Sequence, residues 1–75
     1  MDGHAHLASW IRANRIKRGW TQRELGRRVG AVHMTVSRWE TCLNVPSLAQ
    51  FRALCLVFGS SADRALGLVS RDSAA

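Results

Sequence analysis

The chain has 75 residues, enough for one small domain around a single core. It is 47% apolar and carries a net charge of +6, so it should fold, and no apolar run approaches the roughly 18 residues of a membrane span. Its two cysteines, Cys42 and Cys55, are too few for a disulfide framework, and no further ligands stand at zinc-site spacing, so no metal or other cofactor is expected.

The opening MDGHAHLASW lacks the basic start and apolar segment of a secretory leader, which points to a cytoplasmic location. A single domain with its core at about residues 5–69 is expected, with 1–4 and 70–75 as loose tails. His4 and His6 stand near a terminus with no carboxylate or thiol partner and receive no role. A first helix is predicted from about residue 5 to 18, with Leu7, Ile11, Asn14 and Arg18 sharing a face with Arg15. Gly19 ends it, and Trp20 is expected to drop into the core at the junction.

Residues 20–40, WTQRELGRRVGAVHMTVSRWE, carry the densest pattern. Thr21 and Glu24 have the spacing of a capping box at a helix start. Leu25 and Val29 lie four apart on one face, and Gly30 supplies a break. A second short helix follows, with Val32, Val36 and Trp39 as its apolar stripe. His33, Met34, Ser37, Arg38 and Thr41 occupy its opposite face, where side chains are presented outward. Two short helices joined by a glycine-containing turn form a helix-turn-helix pattern, with the second helix as candidate reader of a DNA groove.

After Glu40, TCLNVPS reads as a loop. A helix starting at Pro46 or Ser47 runs to about Phe58, with Leu48, Phe51, Leu54, Cys55 and Phe58 on its buried face. Gly59 closes it. A last short helix is expected after Ser60 or Ser61, with Asp63 in its first turn and Ala65, Leu66, Leu68 and Val69 following. No strand-like alternation is visible, so the fold class is all-α, with about five helices.

Between residues 12 and 38 there are eight basic residues (Arg12, Arg15, Lys17, Arg18, Arg23, Arg27, Arg28, Arg38) against one acid, Glu24, a net +7. Most charge runs are simply solvated faces. Concentrated on the helix-turn-helix pattern, this one reads better as a polyanion footprint.

GWTQRELG, TVSRWE, VPSL and FGSSADRALGL, at these relative spacings, resemble the Cro/repressor (XRE-like, lambda-repressor-like) helix-turn-helix family over roughly residues 7–68. The resemblance implies a five-helix fold and sequence-specific binding of double-stranded DNA as a homodimer on a palindrome. It implies that Gln22 anchors to a phosphate and braces the reading helix. His33, Met34 and Arg38 match positions facing base edges, with Thr35 and Ser37 nearby, and Asn44 lies in a loop that approaches the backbone. Thr21, Gln22, Arg23, Thr35 and Asn44 are thus the candidate backbone contacts, and His33, Met34, Ser37 and Arg38 the candidate base readers. Arg15 and Glu40 match a pair that forms a buried salt bridge in relatives.

Four positions depart from the family pattern. Val32 stands where relatives often have Ser or Thr, so the reading helix lacks a side-chain cap, at about 1 kcal/mol. Cys42 replaces a frequent Gly and is strained if that position needs positive φ. Leu43 replaces a frequent Lys or Arg and removes a phosphate contact. Met34 offers a base no strong hydrogen bond, only shape or a thymine methyl contact.

The leading reading is a small Cro-like repressor or autoregulator, controlled by its own concentration. Leu66, Leu68 and Val69 are the candidate dimer contacts, although the same residues could fold back onto the fourth helix. The alternative is the antitoxin of a toxin–antitoxin pair, with a toxin protein as second partner. No Ser/His/Asp or Cys/His arrangement is apparent, so the pattern does not describe an enzyme.

Overall fold

Among the described residues the chain forms four helices, most of their ends marked by local start and stop signals. The computed structural model describes residues 3–59, with side chains from residue 5 onward. The elements are α1 (Gly3–Lys17), α2 (Gln22–Val29), α3 (His33–Glu40) and α4 (Leu48–Phe58). The described residues are all helical or loop, with no strand. The anticipated fifth helix, with Leu66, Leu68 and Val69, lies outside them. The first helix begins at Gly3, inside what the sequence suggested was a loose tail.

The ends of the helices have identifiable causes. Thr21 caps α2: its Oγ1 accepts from the Glu24 amide at 3.0 Å, and Glu24 Oε1 accepts from the Thr21 amide at 2.9 Å. Ser47 and Gln50 form the same reciprocal box at the start of α4, at 3.2 and 2.8 Å. At Gly30 and Gly59 the backbone turns left-handed, φ 75° and 64°, which ends α2 and α4.

The core is built from Leu7, Trp10 and Ile11 of α1, Leu25 and Val29 of α2, Val36 and Trp39 of α3, and Leu54 and Phe58 of α4. Each such side chain contributes about 1.5–3 kcal/mol by leaving water. α2 packs on α3 and α4, and α1 packs on α3. Trp10 meets the ring of Phe58 edge-on at 5.1 Å and that of Phe51 at 6.2 Å, which ties α1 to α4.

Three expectations about the core need correction. Trp20 is only half-buried: it stacks on Phe58 at 6.3 Å, and its outer side carries the Arg28 guanidinium at 4.1 Å. Trp10, which the sequence-based helix face omitted, joins Trp39 in the core instead. Leu48 does not join the buried face of α4; it is 76% exposed, at the first position of that helix. Val32 is also exposed, since it is the N-cap of α3 and stands outside the helical stripe.

Candidate nucleic-acid interface

The angle between α2 and α3 is set by close backbone approach and by one polar network. Gly26 sits in the middle of α2, where glycine costs about 0.5–1 kcal/mol relative to alanine. A Cβ there would collide with the carbonyl oxygen of Ala31 in the turn. The Gly26 carbonyl in turn accepts from the Ala31 amide at 2.8 Å. Sequence reading assigned Gly26 no role, because only the folded turn reveals what stands next to it.

The network centres on Glu40 at the end of α3, whose side chain is 1% exposed. Arg15 of α1 donates Nε to Oε2 at 2.7 Å and Nη2 to Oε1 at 2.9 Å, a bidentate pair. Its Nη1 donates to the Trp20 carbonyl at 2.9 Å, in the junction before α2. The hydrogen bond from Arg15 to Glu40 holds the guanidinium pKa above its ordinary value, against the opposing effect of burial. Gln22, the first residue of α2, donates Nε2 to Glu40 Oε1 at 3.2 Å. One carboxylate therefore gathers α1, α2 and α3, and the Gln22 amide nitrogen faces inward to it.

This packing presents one face of α3 to solvent. His33, Met34 and Arg38 are exposed there; Thr35 and Ser37 are half-buried at its edges. Arg38 has no side-chain hydrogen bond or ion pair among the described residues. No side chain caps the start of α3 at Val32. Thr21 and Arg23 at the start of α2, and Asn44 in the loop after α3, are exposed. The Thr21 hydroxyl oxygen is engaged in its cap, and the paired Glu24 carboxyl is held below its ordinary pKa, first by the Thr21 backbone N–H.

The loop after α3 carries the one non-glycine residue at positive φ among the described residues, Cys42 at 64°. The residue before it, Thr41, lies on the outer side of α3 and returns its hydroxyl to the Ser37 carbonyl at 2.9 Å. Cys42 is exposed, whereas Cys55 is half-buried on α4 and burial pushes its thiol pKa up.

The basic surface is smaller than the sequence suggested. Of the eight cations between residues 12 and 38, Arg15 is committed to Glu40. Arg18 donates to the Asn14 side chain at 3.0 Å and to the Phe58 carbonyl at 2.9 Å, at the C-terminal end of α4 where a cation is favoured. Arg12, Lys17, Arg23, Arg27, Arg28 and Arg38 remain exposed. Among the described residues no three His, Cys, Asp or Glu side chains group as a metal site, and no helix is long and apolar enough to cross a membrane.

The family model described as a helix-turn-helix domain matches residues 6–67. No curated protein and no solved structure matches the chain. With α2, the Gly30 turn and the outward face of α3 arranged as above, and with the match extending over most of its length, the chain belongs to the helix-turn-helix domain family.

Proposed function

We propose that the protein is a sequence-specific double-stranded DNA-binding regulator, acting as a Cro-like repressor or autoregulator. The observation that carries this reading is the exposed face of α3, with His33, Met34 and Arg38 on it and no core role for any of the three. His33, Met34, Ser37 and Arg38 read base edges in the major groove, and Arg38 is suited to the O6 and N7 of a guanine. Thr21, Gln22, Arg23, Thr35 and Asn44 meet the backbone and set register. Gln22 does so while bonded to Glu40, which fixes α2 relative to α3.

A single reading helix of eight residues spans few base pairs. A homodimer on a palindromic operator, with half-sites about 34–36 Å apart, supplies the missing contacts. Leu66, Leu68 and Val69 are the residues assigned to that dimer. The function is tested by titrating the protein into labelled duplexes of random sequence and into single strands of the same composition. Binding to duplex that weakens steeply with salt supports the reading. Absence of duplex binding at low salt overturns it.

A further inference from the structure

We propose that Arg23 and Arg27 grip one and the same backbone phosphate of duplex DNA, in the hollow between α2 and the start of α3; this rests on the DNA-binding reading above. The hollow has a volume of about 340 Å³ and is lined by Arg23, Arg27, Ala31, Val32 and His33. Arg27 belongs to the basic run but has so far been assigned no particular contact with DNA.

Arg23 and Arg27 are four apart on α2, so their side chains stand one above the other on the same face. Like charges at that spacing repel unless an anion lies between them. No carboxylate of the described residues forms an ion pair with either arginine, although Glu24 lies near enough to Arg27 for the charges to interact. Glu24 is the acid of α2, and its Oε1 is bound to the Thr21 amide at the helix start. Neither Arg23, Arg27 nor His33 has a side-chain hydrogen bond or ion pair among the described residues.

The approach of Gly26 to Ala31 leaves no space for a Cβ, so the α2 backbone lies close against the turn that forms the other wall. A phosphodiester presents two non-bridging oxygens, and a planar guanidinium is matched to such an oxygen better than an ammonium is. With one guanidinium on each oxygen, the phosphate sits at the rim beside His33. That contact sets the depth at which the first residue of the reading helix meets the base pairs.

A shared phosphate has a signature that dispersed charge lacks. The salt slope of binding counts phosphates neutralised, at about 0.9 unit each. Affinity for a short duplex of arbitrary sequence is measured against salt for wild type, Arg23→Ala, Arg27→Ala, the double variant, and Arg52→Ala as a charge control on α4. All three substituted positions are exposed, and circular dichroism verifies the fold. The expected result is single variants whose slopes change little, because the remaining guanidinium still neutralises the phosphate, and a double variant whose slope falls by about one unit, with Arg52→Ala unchanged. A fall of about two units in the double variant assigns the arginines to separate phosphates and overturns the proposal. An equal fall in Arg52→Ala reduces the effect to net charge and also overturns it. If wild type binds duplex but no variant changes the slope, the hollow does not face DNA, and an acidic protein partner becomes the better occupant. If wild type shows no duplex binding, the DNA reading and the clamp fall together.

Discussion

Arg15 and Glu40, 25 residues apart, form a bidentate pair at 2.7 and 2.9 Å with the carboxylate almost wholly out of water. The pair joins the first and third helices, and Gln22 brings in the second through the same carboxylate oxygen that Arg15 Nη2 contacts. Removing one member leaves a buried charge uncompensated, at roughly 3–5 kcal/mol. Glu40→Ala should therefore lower Tm by well over ten degrees, at about 4–8 °C per kcal/mol for a domain of this size. Thermal melts followed by circular dichroism decide this; a variant that melts like wild type would show that the pair holds nothing together.

Cys42 lies at φ 64°, where a side chain costs of order 1 kcal/mol and glycine does not. Cys42→Gly should raise Tm by several degrees, reduced somewhat by the greater freedom of glycine in the unfolded chain. Cys42→Val should lower it, because a β-branched side chain is worse in that region. If both variants melt alike, the left-handed conformation is not retained in solution.

Glu24 has its pKa lowered by the Thr21 backbone N–H and hydroxyl, so the folded state favours its ionised form. The sign follows from linkage: the stabilisation is present above the unfolded carboxylate pKa and lost as pH falls through the lower folded value. Melts from neutral pH into the acid range should show a decline that flattens in Glu24→Gln, since glutamine can keep the box without titrating. An identical acid profile in the variant would assign the decline to other carboxylates.

What was legible in the sequence is what local chemistry decides. The Thr21–Glu24 box, the breaks at Gly30 and Gly59, and the outward position of His33, Met34 and Arg38 depend on spacing within one or two turns. The Arg15–Glu40 pair spans 25 residues, and only family resemblance suggested it. Trp10 was missed because its place is decided by Phe51 and Phe58 on another helix. Arg18 shares a predicted face with Arg15 but also counts in the basic footprint, because its acceptor is a carbonyl 40 residues away. Leu48 fits the apolar periodicity of α4, yet it is exposed among the described residues, which spacing within one helix does not decide.

The proposed dimer is tested by Leu68→Asp. A carboxylate placed in an apolar contact between subunits should produce monomer at micromolar concentration in sedimentation, with helix content retained. A wild-type protein that sediments as a monomer at high micromolar concentration, with and without DNA, contradicts the dimer. Loss of helix content in the variant assigns Leu68 to packing within the chain instead.

The central claim is that the outward face of α3 chooses bases, and Arg38 is its sharpest point. Selection from duplexes with randomised half-sites, run in parallel for wild type, Arg38→Ala and Arg23→Ala, tests it most directly. Wild type should enrich a defined palindrome. Arg38→Ala should lose about 1–3 kcal/mol on that site and accept any base at one position per half-site, whereas Arg23→Ala should weaken all sequences alike. If Arg38→Ala enriches the same bases as wild type at uniformly lower affinity, Arg38 holds a phosphate and choice rests on His33, Met34 and Ser37. If wild type enriches no sequence at all, α3 is not a reading helix and the account fails.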